Sequence, residues 1–339
     1  MERTKQEPVS SRFSAKSTAK EIVKGYDLKG KNAVVTGGYS GIGLEITRAL
    51  AQSGARVLVP VRNMQKAQNA LKNIPHVETD TLDLMDPDSI DAFAGRFLSR
   101  REPLHILIND AGIMAPPLRR DSRGYESQFS TNHLGHFQLT AKLWPALVQA
   151  EGARVVAVSS RAQRLGGVDF DDPNYLIREY HPMKAYAQSK SANVLFAVEL
   201  DRRGKTYGVR AFAAHPGLVP TTNLGGSSLA PGLASALPKI MRALHVSSVI
   251  NFIKGFKPHH VGDEFKNNRQ GAATPVWCAV SNELNGMGGV YCEDCNIAQA
   301  VQDNTLPYGV LPWAVDLEQA ERLWALSEEL TGVAFTIDK

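Results

Sequence analysis

Cysteine is scarce in this chain, with three in 339 residues, at positions 278, 292 and 295. So odd and sparse a set is no disulfide framework. It points to a reducing compartment, with the cytoplasm as the expected location. Cys292 and Cys295 form a Cys-x-x-Cys pair, but no second pair exists to complete a zinc site, and no metal is expected. Two ordinary thiols near a strand end are favoured over a redox dithiol. No run of about 18 apolar residues occurs, so no membrane span is predicted. Residues 1–25 lack the apolar core of a secretory signal, and Glu2, Glu7 and Glu21 argue against a transit peptide. A loose tail is expected to about Thr18, then a short helix into Gly25. The net charge of +4 is spread without a dense Lys/Arg block, which argues against a nucleic-acid partner. Internal repeats and low-complexity tracts are also missing.

What is present suits one large α/β domain. The apolar fraction is 43% and the charged fraction 21%, both ordinary for a soluble globular protein. Short apolar runs at 33–35, 56–59, 76–82, 105–108, 154–158, 209–213 and 289–291 read as about seven strands. Helix-length segments such as 42–52, 87–98 and 187–202 lie between them. Continuous Val/Ile/Leu runs separated by helices predict a parallel sheet covered on both faces. Right-handed crossovers then give a doubly wound Rossmann fold, a single domain over 28–339. Residues 222–268 break the rhythm with Gly, Ser, Pro and an apolar-basic helix, and read as an insertion.

Thr36-Gly37-Gly38-Tyr39-Ser40-Gly41-Ile42-Gly43 follows the first strand directly. Glycines at 37, 41 and 43 let the chain turn tightly and approach a pyrophosphate. The helix starting near Gly41 offers free N–H groups and a positive dipole end to that anion. Its place between strand and helix makes a dinucleotide site the reading, over a turn without a ligand. At the end of the second strand, NAD enzymes carry a carboxylate for the ribose 2′-hydroxyl; here Val61 and Arg62 stand instead. A guanidinium can grip a 2′-phosphate that a carboxylate would repel, so NADP(H) is expected. The bland alternative is a solvated Arg62.

Tyr186-Ala187-Gln188-Ser189-Lys190 places an ammonium one helical turn from a phenol, on the same face. A free tyrosine has a pKa near about 10 and is a poor base at neutral pH. A neighbouring ammonium is expected to lower it, and a fall of about two pH units would favour the phenolate by roughly 2.7 kcal/mol.

These motifs, in this order, resemble the short-chain dehydrogenases/reductases over residues 28 to about 330. The glycine spacing resembles that of the family at large, while the run His133-Leu134-Gly135-His136-Phe137 and the start Gly271-Ala272-Ala273-Thr274 are similar to the retinol-dehydrogenase-like and WW-domain-oxidoreductase-like branch. So is the long interval between Ser160 and Tyr186, where Asp169, Asp171, Asp172 and Tyr175 read as a rim rather than a metal site. The resemblance implies a catalytic set of Asn132, Ser160, Tyr186 and Lys190, with Ser160 steadying the substrate oxygen. Asn132 would hold, through its backbone, a water that leads to the lysine. Lys190 would also grip the nicotinamide ribose.

For the cofactor the resemblance implies Gly37, Tyr39, Ser40, Gly41, Ile42 and Gly43, then Arg62, with Asp83 and Leu84 at the adenine. Asn109, Ala111 and Gly112 belong to a motif in which Asp110 stands where the family has asparagine. Pro216, Gly217, Val219 and Thr221 would lie under the nicotinamide beside Tyr186 and Lys190, and Pro220 departs from the family pattern. His133 and His136 read as helix-packing residues.

The apolar-basic stretch 237–256 has three readings: a lid over a lipophilic substrate, a helix resting on a membrane surface, and plain core packing. The implied activity is hydride transfer between NADP(H) and a carbonyl or alcohol, most simply reduction of a lipophilic ketone or aldehyde. A homo-oligomer stays open. A catalytically silent NADP-sensing or scaffold protein is the alternative, though such relatives typically lose the Tyr or Lys kept here. A nucleotide-sugar lyase or epimerase ranks low on its different glycine spacing.

Overall fold

The computed structural model describes residues 4–220, 265–304, 306, 308–335 and 337. The predicted insertion lies almost wholly outside the described residues, as does Thr221. Among the described residues there are eight strands, β1 (Asn32–Thr36), β2 (Arg56–Val61), β3 (Val77–Thr81), β4 (Ile106–Asn109), β5 (Arg154–Val158), β6 (Arg210–His215), β7 (Val290–Glu293) and β8 (Asn296–Ile297). They lie in the order β3-β2-β1-β4-β5-β6-β7-β8. All pair in parallel except β8, which runs antiparallel to β7. The order reverses at β1 and β4, which opens a crevice at the carboxyl ends of these strands.

Adjacent residues of each strand feed opposite cores, as a period of two demands. Val34, Leu107, Val155 and Ala211 form one row across four strands. It faces Ile90 and Phe93 of α4 (Pro87–Ser99) and Val194 and Leu200 of α8 (Pro182–Gly204). The next row, Val35, Ile108, Val156 and Phe212, faces Ile46 and Leu50 of α2 (Gly41–Gln52) and Trp277 of α10 (Ala273–Val280). The doubly wound sheet of the sequence reading is therefore present, with one strand more than expected. That strand, β8, has two residues and follows a turn in which Asp294 and Cys295 both hold positive φ.

One element is irregular, and another differs from expectation. The helix after β4 is not uniform: α5 (Ser127–Phe129) passes through a π-helical turn, Ser130–Leu134, into α6 (Gly135–Lys142). At its end the carbonyl oxygen of Leu84 presses so close to Gly135 that a Cβ there would meet it at 2.4 Å. The amino-terminal segment, expected to be loose, is tied across the sheet edge. Gln6 donates to the carbonyls of Tyr291 at 2.8 Å and Ala298 at 2.6 Å and accepts from the Tyr291 N–H at 2.9 Å. Asn296 exchanges two further bonds with the Val9 backbone. Thr18 then caps the short helix α1 (Ala19–Ile22) in a capping box with Glu21.

Candidate active site

The glycine turn is built by close approach. Gly37 has φ +70°, and a Cβ on it would stand 3.0 Å from the Ala111 Cα. A Cβ on Gly43 would meet the Gly37 carbonyl oxygen at 2.4 Å. Beyond the turn, Ser40 has extended backbone and makes no side-chain cap, so the first N–H groups of α2 have no capping partner from that side chain. The neighbouring α3 (Met64–Leu71) and α4 are capped by Asn63 and Asp86. Uncapped N–H groups at a positive dipole end are what an anion requires.

A cleft of about 460 Å³ opens over this turn. Of the residues expected at a cofactor, Gly37, Tyr39, Ser40, Gly41 and Ile42 form its floor. Arg62, Asp83 and Leu84 stand at one end, Ala111 and Gly112 in the middle, and Tyr186, Lys190 and Pro216 at the other end. Lys66, near the start of α3, lines the cleft beside Arg62 and was missed by the sequence reading. Its signal was only a lysine four residues beyond Arg62, at a helix start.

Four expected residues sit elsewhere. Asn109 is buried and donates to the Thr140 Oγ1 at 3.2 Å, because strand alternation sends its side chain toward α6. Gly43 lies behind the floor, against Gly37. Gly217, with φ +89°, packs on the aliphatic stem of buried Lys266, which is ion-paired with Asp294. Val219 rests its Cγ2 on Gly271.

At the far end of the cleft, α8 carries Tyr186 and Lys190. The Lys190 Nζ donates to the Val158 carbonyl at 2.9 Å and stands 5.7 Å from the Tyr186 ring centre. Ser159 donates to the Lys190 carbonyl at 2.7 Å, which fixes β5 to α8. Ser160 hydrogen-bonds Tyr186 and also accepts the Ala162 N–H at 3.1 Å. Asn132, in the π-helical turn, accepts from the Ile113 N–H at 2.9 Å and donates to the Ile113 carbonyl at 3.0 Å and the Ser189 Oγ at 2.9 Å. Its own carbonyl lies 3.0 Å from the His136 Nδ1, and the His136 Nε2 lies 2.9 Å from the Thr36 Oγ1.

The electrostatics correct one expectation. Burial pushes Tyr186 up to about 12, the charge of Asp110 adds to this, and the Ser160 bond opposes it. The ammonium of Lys190 gives its hydrogen bond to the Val158 carbonyl, and burial sets the direction of the phenol's shift. Burial lowers Lys190 to about 8, against the pull of Asp110, and raises Asp110 to about 7, against the pull of Lys190. His136 is lowered to about 4 and His133 to about 3 by burial. His133 meets the Ser327 Oγ at 2.7 Å and packs among Phe129, Phe137 and Phe196. Asp172 uses its carboxylate on the backbone N–H groups of Leu176, Ile177 and Arg178.

A doubly wound sheet, a glycine turn onto an uncapped helix, and a long cleft ending in a buried Tyr–Lys pair define a dinucleotide-binding α/β protein. The sequence profile described as short chain dehydrogenase matches residues 31–230, and the chain belongs to that family of oxidoreductases. A "Probable oxidoreductase" of Streptomyces lividans is 41% identical over 305 residues, covering 88% of this chain and 96% of that one. The human "WW domain-containing oxidoreductase" is 36% identical, covering 94% of this chain and 72% of its own. The mouse "Retinol dehydrogenase 12" is 37% identical, with 90% and 88% covered. Both names fall in the branch that the sequence resembles. A solved structure of a putative uncharacterized protein from Mycobacterium paratuberculosis superposes with a TM-score of 0.70 at 33% identity, over 95% of this chain and 99% of that one.

The family uses nicotinamide cofactors, NAD or NADP. The cradle fits such a group, since its glycines leave the backbone bare where a Cβ would fill the turn. Among the described residues, no helix is long and apolar enough to cross a membrane.

Proposed function

We propose that this protein is an NADP(H)-dependent oxidoreductase that reduces a lipophilic ketone or aldehyde, with Tyr186 as the general acid. One observation carries the reading. Two cations, Arg62 and Lys66, line the same cleft that ends at Tyr186 and Lys190, and Val61 takes the place of an NAD-selecting carboxylate. A guanidinium and an ammonium together favour a 2′-phosphate over a bare hydroxyl.

When bound, the nicotinamide supplies the hydride. The protein's own groups manage the oxygen. The Ser160 hydroxyl hydrogen-bonds the substrate oxygen and steadies its developing charge. Tyr186, held in its protonated form, gives its hydroxyl proton to that oxygen. Lys190 offers positive charge near the phenolate left behind, and Asn132 keeps the loop after β4 and α8 in register. Alcohol oxidation is the same path reversed.

The substrate class is inferred from the surroundings of the phenol. Ala162, Met183 and Ala187 pack with Tyr186, and Met114 and Ala115 lie against them. An apolar wall of this kind suits a lipophilic carbonyl, and one relative is named for retinol. Three buried free cysteines agree with a reducing compartment such as the cytoplasm.

The test follows NADPH absorbance with a panel of lipophilic carbonyls. Turnover is expected with NADPH over NADH, and loss of the preference in Arg62→Ala/Lys66→Ala. Turnover that survives Tyr186→Phe defeats the acid assignment. Binding of NADP without turnover of any carbonyl would favour the sensing protein instead.

A further inference from the structure

Asp110 lines the cleft where the resembling family carries an uncharged asparagine. Its Oδ2 lies 2.7 Å from where a Cβ on Gly43 would stand, so the carboxylate rests against the first turn of α2. Several groups face it. From β1, the Thr36 Oγ1 accepts the Asp110 N–H at 2.9 Å. From α8, Tyr186 and Lys190 lie within electrostatic reach, while Lys190 gives its bond to the Val158 carbonyl. From α6, His136 sits behind Thr36 and is held neutral by burial. From α2 come the N–H groups that Ser40 does not cap.

We propose that Asp110 makes cofactor binding proton-linked: its carboxyl takes up one proton from solvent as the anionic dinucleotide settles on the first turn of α2. The proposal rests on the reading of the cleft as a dinucleotide site. Like charges would share a small volume. A carboxylate and a diphosphate both seek the same helix end, and each carries negative charge into a cleft of low dielectric. Protonating the carboxyl removes the conflict at the cost of one proton from water. Burial already holds Asp110 near neutrality, up to about 7, so that proton is available under ordinary conditions. No other bond forms or breaks. An asparagine at the same position has no such proton to take, and a chain carrying one binds without the linkage.

The test uses the full chain labelled with carbon-13 at the aspartate carboxyls. The resonance lost in Asp110→Asn reports the Asp110 titration, read free, saturated with NADP⁺, and saturated with NAD⁺. The expected midpoint is near neutral in the free protein and rises by about one pH unit or more on binding, equivalent to tenfold or more in affinity. In parallel, the ratio of NADP⁺ affinity in Asp110→Asn to that in the wild type is expected to rise about tenfold between pH 6 and 8.5. Because Lys190 feels the charge of Asp110, the ratio is read together with the carbon-13 midpoint, which reports Asp110 itself. A midpoint that stays fixed or falls on binding overturns the proposal, as does a flat ratio. Saturable binding with an unmoved midpoint defeats the role of Asp110 alone. If neither dinucleotide binds to either protein, the cleft reading fails with it.

Discussion

The Asn132 Nδ2 and the Ser189 Oγ are joined by a hydrogen bond of 2.9 Å, and this bond ties the π-helical turn after β4 to the helix that carries Tyr186 and Lys190. Ser189 in turn donates to the Tyr186 carbonyl at 2.8 Å. The same asparagine holds both backbone groups of Ile113, on the cleft wall. One buried side chain thus fixes the cleft's middle to its far end. A π-helical turn widens the helix locally and is often found at functional sites. Here it lies at the residue that makes these bonds.

Asn132→Ala removes three hydrogen bonds in a buried place and leaves the Ile113 N–H and carbonyl without their partner. Each buried group left unsatisfied costs about 1–3 kcal/mol, so a total loss of roughly 2–4 kcal/mol is expected. Urea denaturation of the two proteins measures it. Asn132→Asp keeps the acceptor toward the Ile113 N–H and should recover part of the loss at low pH. A change below about 0.5 kcal/mol in the alanine variant would mean that the two elements are held by other contacts.

Much of this architecture could be read from the chain, for a physical reason. Strands β1, β4, β5 and β6 are continuous apolar runs because both faces are buried, and their signal survives without knowledge of their neighbours. The Tyr186–Lys190 spacing fixes a shared helix face by geometry alone. What escaped depends on tertiary placement. Ser130–Leu134 reads as ordinary helix, since nothing in its residues announces an extra residue per turn. β8 is too short for a pattern. The rise of Tyr186 came from burial, which no local spacing reports, with the charge of Asp110 adding to it. Asn109 and Asp110 are sequence neighbours that leave the end of β4 on opposite sides, one into the core and one into the cleft.

The glycine turn supports a paired substitution. Gly43→Ala puts a methyl group 2.4 Å from the Gly37 oxygen, a contact that backbone cannot relieve cheaply. The turn must open, and NADP⁺ affinity should fall by at least about tenfold, or 1.4 kcal/mol. Gly95→Ala serves as the contrast. It lies on α4 with nothing within 4 Å of its Cβ position, and alanine there should stabilise by about 0.5–1 kcal/mol through helix propensity. Titration calorimetry and thermal melts on both variants check the pair.

Asp110 should also leave a mark on stability without any ligand. Its folded-state pKa, about 7, is raised above an unfolded value of 3.8. The folded state therefore holds the proton more tightly between those values, and stability is lost as pH rises through 7. The shift corresponds to at most roughly 4 kcal/mol, shared with Lys190. Asp110→Asn is expected to melt higher than the wild type at pH 8, by about 1–3 kcal/mol of stability, and at nearly the same temperature at pH 4. Equal differences at both pH values would show that the carboxyl is not buried with its charge.

The amino-terminal segment gives the last prediction, because its bonds are few and specific. Gln6 donates to the Tyr291 and Ala298 carbonyls and accepts from the Tyr291 N–H, which fills the gap beside β7 and β8 as a short strand would. Gln6→Ala leaves that N–H without its acceptor and should cost about 1–3 kcal/mol, a shift of several degrees in the melting temperature. The residue does not line the cleft, so NADP⁺ affinity should stay within about twofold, or 0.4 kcal/mol. Hydrogen exchange at Tyr291 and Ala298 locates the effect. Faster exchange confined to that edge, with unchanged protection in β4 and β5, is expected of a strap that closes the sheet. Loss of protection across the whole sheet would instead make the segment part of the cooperative core.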